Sequence, residues 1–233
     1  MIITIDGPAG SGKSTISKIL SKRLGFMYIN SGAIYRAITY FILSSFKNID
    51  ENNIDKNIEN LILNKNTFNF QYLWKNENLT IFVNKENITE SLKKENISKW
   101  VSFVAKNKKV RDFVLQIEKD LSKNSNVILE GRDSGTVVFP FAEKKFFLVA
   151  SLEERVSRRL LELIKLGEIK KDCDFNVEKE RIKSLINSRD INDQNRKISP
   201  LKKAIDAIEV DTTGKSINEV VNILENFVRN KNE

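Results

Sequence analysis

The chain has 233 residues, 40% hydrophobic and 30% charged, with a formal net charge of +8; that length suits one domain, or one with small appendages, able to bury a core without staples. Its single cysteine, Cys173, excludes a disulfide framework, and the lack of any histidine excludes Ser-His and Cys-His nucleophile systems and imidazole-based metal sites. Chemistry here falls to carboxylates, Lys, Arg, hydroxyls, backbone groups or a hard metal ion.

In chain order, residues 1–5 form a β-branched run that predicts a strand. No leader and no apolar run near the ~20 residues of a membrane span is visible, so a soluble cytoplasmic protein is expected. Gly7, Pro8, Ala9, Gly10, Ser11, Gly12, Lys13 and Ser14 match the P-loop spacing, with a strand before them and a helical pattern over 13–24 after them. Such a loop curls backbone N–H groups around phosphate oxygens and aims a helix N-terminus at them. It lets Lys13 reach the β- and γ-phosphates and offers the Ser14 hydroxyl to Mg²⁺. Residues 7–15, including Thr15, are the expected ATP-binding segment.

A strand is expected over 26–29, then a helix over 31–46 capped by Asn30. That helix opens with Ser31-Gly32-Ala33-Ile34-Tyr35-Arg36, which places Arg36 to reach the crevice beyond the strand ends. Residues 67–89 alternate as a hairpin, with Lys75-Asn76-Glu77-Asn78 as a longer loop. Strands are expected over 126–129 and 145–150. Between them runs Glu130-Gly131-Arg132-Asp133-Ser134-Gly135-Thr136-Val137-Val138-Phe139-Pro140, with an Arg-Asp pair at the strand's carboxyl end.

A helix over 151–165 carries Arg155, Arg158 and Arg159 at i, i+3, i+4; a helix over 177–191 leads into Arg189, Asp193 and Arg196 at i, i+4, i+7. Two arginine-bearing helices joined by an exposed 167–174 loop describe a closing lid; Arg189 and Asp193 taken alone also fit a solvated ion pair, a reading weakened by the arginines gathered around them. A strand over 207–210 and a helix over 216–229, capped by Ser216 with Glu219, complete the chain. This alternation predicts an α/β fold: a central parallel sheet covered by helices on both faces, with a small antiparallel insert.

A P-loop alone does not separate GTPases, ATPase motors and small-molecule kinases. A guanine-reading Asn-Lys-x-Asp string is absent, which argues against a GTPase. The +8 charge leaves a nucleic-acid binder as a reading of another class. Yet only 11 of the 39 basic residues are arginine, and seven of those lie in the segments above. That concentration points to planar recognition of phosphate.

Together, the P-loop, residues 31–36, residues 131–140 and the Arg189…Asp193…Arg196 helix resemble bacterial cytidylate kinases, over residues 1–229. The resemblance implies a P-loop kinase fold with core segments 1–30, 105–165 and 197–233. It also implies a nucleoside monophosphate-binding insert at about 31–104 and a lid at about 166–196. The implied reaction transfers the γ-phosphoryl group of ATP to CMP or dCMP with Mg²⁺, in a monomer with no nucleic-acid or membrane partner. A P-loop kinase for another monophosphate or a hydroxyl substrate is the alternative.

By resemblance, Arg36 and Arg132 hold the acceptor phosphate, Ser31 and Tyr35 line the CMP site, and Ser102, Arg111 and Asp133 surround the cytosine. Arg189 and Asp193 meet the sugar hydroxyls and Arg196 the acceptor phosphate. Arg158 and Arg159 belong to the lid side of the donor, and with Lys13 and Arg132 make up the catalytic set. The chain departs from the family at Asn30, where Asp is usual, at Asn192 and Gln194, often basic in relatives, and in a longer 167–176 loop.

Overall fold

The computed structural model describes residues 1–46, 49–50, 53–63, 68–169 and 174–230; Thr67 and Cys173, both singled out above, lie outside these. In chain order the elements are β1 (Ile2–Asp6), α1 (Lys13–Leu24), β2 (Met27–Asn30), α2 (Ser31–Ser45), α3 (Ile54–Leu63), β3 (Phe70–Lys75), β4 (Asn78–Val83), β5 (Glu86–Asn87), α4 (Glu95–Val104), α5 (Lys108–Ser122), β6 (Val127–Glu130), β7 (Lys144–Val149), α6 (Leu152–Lys165), α7 (Phe175–Gln194), β8 (Ile208–Asp211) and α8 (Ile217–Arg229).

β2, β6, β1, β7 and β8 make one sheet in that order, every pair parallel. Alternation along the strands sends side chains to both faces. Ile3, Ile5, Ile128, Phe146, Leu148 and Val210 pack with Ile16 and Leu20 of α1 and with Val220, Val221 and Leu224 of α8. Ile29, Val127 and Leu129 pack the other way, against α2 and α5, in the larger core that also takes in the insert. The expected α/β fold is therefore present, with helices on both faces. Among the described residues no helix is long and apolar enough to cross a membrane.

The strand edges differ from expectation by about one residue. The ladder continues onto the polar residues Asp6, Asn30, Glu130 and Asp211 at the carboxyl ends, which puts four polar side chains at the rim where ligands of such sheets bind. The hairpin needs a correction: its loop is two residues, not longer. Lys75 pairs with Asn78 in register, and Asn76 and Glu77 both take positive φ, the tight turn that matches strand twist. A second such pair, Asn84-Lys85, leads into β5.

The sequence pattern names no element at α3, α4 or α5. In α5 the buried face is Val110, Arg111, Val114 and Glu118, so two charged residues occupy core positions and mask the helical period. α7 is longer than expected for the same reason: its buried positions include Asp190 and Asp193, and Asp174 caps its start through the Asn176 and Val177 amides.

Candidate active site

The P-loop conformation follows from its glycines. Gly7, Gly10 and Gly12 take φ of 146°, 77° and 90°. A Cβ on Gly7 would collide with the Leu148 carbonyl oxygen, and one on Gly10 would stand 3.0 Å from Arg155 Cβ. The loop thus packs directly on β7 and α6. Lys13 opens α1, is 6% exposed, and donates from Nζ to the Pro8 carbonyl at 2.6 Å and to Ser11 Oγ at 3.3 Å. Burial, then the charges of Arg132 and Arg189, pushes its ammonium below the ordinary lysine range. Ser14 and Thr15 are exposed at the loop's open side.

Two acidic residues outside the sequence-based set stand beside this loop. Asp6 ends β1 and accepts from the Ser134 and Gly135 amides at 2.9 and 2.7 Å, fixing the 131–138 segment over the sheet rim; burial raises its carboxyl to about 6 against those bonds. Glu130 ends β6 and accepts from the Tyr28 hydroxyl at 2.8 Å, which in turn accepts from Asn30 Nδ2 at 3.0 Å. Glu130 Oε2 is buried without a hydrogen-bond partner among the described residues, while Lys13 and Ser14 stand beside this carboxyl. An orphan carboxylate oxygen facing a P-loop hydroxyl is an oxygen donor set of the kind Mg²⁺ takes. Among the described residues no group of three or more His, Cys, Asp or Glu forms a cage.

Opposite the loop the sequence-named arginines converge. Arg132 donates to Asp193 Oδ2 at 2.9 Å, and Arg196 to Asp193 Oδ1 at 2.9 Å, so one carboxylate orients two guanidiniums. Burial opposes ionisation of Asp193, but Arg132, Arg196 and Arg189 hold it below the usual range. Arg36 donates to Ser98 Oγ at 2.7 Å and to the Leu92 carbonyl at 3.0 Å. Its guanidinium is lowered to about 10 by burial, then by Arg159 and Arg132. Arg189 keeps a partly accessible edge, yet burial, Arg132 and Arg36 lower it to about 9, and its Nε has no partner among the described residues. Guanidiniums gathered in one cleft, beyond what Asp193 neutralises, raise that cleft's affinity for an anion.

Beside this cluster, Arg111 and Asp133 form a buried ion pair, with the Arg111 guanidinium 5.6 Å from the Tyr35 ring centroid and donating to the Ala105 carbonyl. Ser31, buried, starts α2 below them. Ser102 is half-buried on α4, one turn from Ser98. Ser98 was absent from the sequence-based set; its spacing from Ser102 is the only signal for it.

The arginines of α6 diverge. Arg155 faces the P-loop and Asp190. Arg158 is tied to Glu154 and to Thr212 Oγ1 and carbonyl at 2.9 and 2.7 Å. Arg159 pairs with Glu162. The Thr212 hydroxyl, buried, also lies 3.3 Å from the Ser11 carbonyl, so the turn that follows β8 braces the P-loop.

A cytidylate kinase family model matches residues 3–230. The chain is 43% identical to the cytidylate kinase of Fusobacterium nucleatum over 96% of its own length and 95% of the relative's. It is 44% identical to that of Clostridioides difficile over 95% of its length and 94% of the relative's. It is also 42% identical, over 99% of its length, to a bifunctional pantoate ligase/cytidylate kinase of Prochlorococcus marinus, of which it spans only 43%.

Proposed function

The chain belongs to the cytidylate kinase family, and from that premise we propose that it transfers the γ-phosphoryl group of ATP to CMP or dCMP, giving ADP and CDP or dCDP. The P-loop with Lys13 grips the donor phosphates. Mg²⁺ arriving with ATP would be held by the Ser14 hydroxyl with Glu130 facing it, and would supply charge neutralisation at the donor phosphates. Arg36, Arg132, Arg189 and Arg196 hold the acceptor phosphate and sugar side; Arg111 and Asp133, with Ser31, Tyr35 and Ser102 around them, take the base. Arg158 and Arg159 stand on the lid side of the donor. Residues 31–104 and 166–196 close over the two substrates and exclude water. A cytoplasmic reaction, where ATP and nucleoside monophosphates meet, suits this reading, and the reaction calls for no nucleic-acid partner.

The observation that carries this reading is the geometry of the cleft: Lys13 is held at the P-loop by the Pro8 carbonyl, and Arg132 and Arg196 are both oriented by the Asp193 carboxylate. A phosphomonoester has a second pKa near ~6, so at pH 7 it is already mostly dianionic. Such an acceptor needs no general base, and a histidine-free chain can serve it. It needs cations that hold two repelling anions in line. The test is CMP-dependent ADP formation. The wild type should show it and Lys13→Ala should lose it by orders of magnitude with the fold intact; near-normal turnover in folded Lys13→Ala protein contradicts the P-loop mechanism.

A further inference from the structure

Asp190 stands between the two halves of the site. It lies on α7, directly after Arg189 and one turn before Asp193, and is 8% exposed. It does not face the acceptor cluster. Its Oδ1 accepts from the Ala9 backbone N–H of the P-loop at 3.1 Å, and its Oδ2 pairs with Arg155. Arg155, 9% exposed on α6, closes the ring by donating to the Ala9 carbonyl at 3.1 Å. Both polar backbone groups of Ala9 are therefore held by one buried ion pair, and the next residue, Gly10, packs on the α6 backbone at Arg155.

A buried ion pair is weak evidence for stability, because desolvation offsets most of its attraction. Arg155 also leaves its Nε buried and unpartnered among the described residues. What the arrangement does provide is a rigid connection. Consecutive helical residues project about 100° apart. One stiff helix therefore turns Arg189 and Asp193 to the acceptor cations and Asp190 to the donor loop. We infer that Asp190 and Arg155 are positioning residues that pass occupancy of the acceptor site to the P-loop, so that each substrate tightens binding of the other. An anion that satisfies Arg189 fixes the end of α7; Asp190 moves with it and sets Ala9. Coupling of this kind is reciprocal and commonly amounts to about fivefold or more in affinity. The inference rests on the acceptor reading of Arg189 and Asp193 above.

The test is the dissociation constant of a non-transferable β,γ-imido analogue of ATP, by calorimetry, with and without saturating CMP. In the wild type CMP should tighten the analogue about fivefold or more. In Asp190→Asn, whose amide can still accept from Ala9 but cannot pair with Arg155, the ratio should fall toward one. Arg155→Lys, which keeps the charge and loses the two-way contact, should do the same, and decides the matter if Asp190→Asn does not fold. A merely structural role would lower the melting temperature and leave the ratio unchanged; that result in a folded variant overturns the inference while the acceptor reading stands. A wild type that binds CMP without tightening the analogue also overturns it. A wild type that does not bind CMP overturns the acceptor reading and the inference with it.

Discussion

Asp133 and Arg111 sit in one buried ion pair beside the Arg132–Asp193–Arg196 cluster, and the geometry of a pyrimidine decides what such a pair can read. Cytosine offers an amino donor at N4 and acceptors at N3 and O2; uracil offers an acceptor at O4 and a donor at N3. In the proposed site the Asp133 carboxylate would accept from the cytosine amine but would meet uracil's O4 with no proton between them. Arg111 would donate to N3 and O2 of cytosine but would confront the N3–H of uracil. Polar groups left buried and unpaired reject the wrong base strongly, up to ~10⁴-fold. Asp133→Asn should therefore lower kcat/KM for CMP and narrow the CMP/UMP ratio, because an amide presents either face. Equal losses with both nucleotides in steady-state assays would show that Asp133 does not read the base.

At the scale of elements, what was legible depended on whether a residue's job coincided with its local pattern. The P-loop was legible because strand, glycines, lysine and helix lie in sequence. The capping box of α8 was legible for the same reason, and Ser216 and Glu219 make both of its hydrogen bonds. α5 was not, because Arg111 and Glu118 stand where the apolar period requires hydrophobic residues. The roles of Glu130, Asp6, Ser98 and Thr212 were hidden because their partners lie far away in the chain. Tyr28 reaches Glu130 across 102 positions and Arg158 reaches Thr212 across 54. Arg36, Arg132, Arg189 and Arg196 were singled out through resemblance; their convergence in space is a property of the rim, not of spacing.

Glu118 carries a consequence for pH. It is 1% exposed on α5, with Oε1 unpartnered among the described residues. Burial raises its carboxyl from 4.5 to about 8; a Ser31 hydrogen bond opposes this, Asp133 and Asp6 reinforce it, and Arg111 opposes it. The folded state therefore holds a proton that the unfolded chain releases above about 4.5. This group's contribution to stability is lost as pH climbs from there to about 8. Glu118→Gln cannot titrate. It should match the wild type near pH 5 and be more stable at pH 9 by roughly 2–4 kcal/mol in denaturant unfolding. The same difference at both pH values would show that Glu118 is ionised throughout.

At the scale of the whole molecule, the sheet brings β1, β2, β6 and β7 to one rim, and every charged element of the site is hung from it. Asp6, Glu130 and the P-loop follow directly from strand ends, while α2 and α5, packed on one face of the sheet, carry Arg36 and Arg111, and α7 and the residues just after it carry Arg189 and Arg196. The +8 charge is thus not only a solvated coat; part of it, Lys13, Arg111 and Arg155 among it, is buried. The most direct measurement of this account is ADP formation by the wild-type chain with ATP and, in turn, CMP, dCMP, UMP, AMP and GMP. The account predicts rapid transfer to CMP or dCMP, with the purine monophosphates slower by about 100-fold or more, as expected of a site whose polar groups are matched to cytosine. Equal transfer to AMP or GMP, or none to CMP and dCMP, would contradict it.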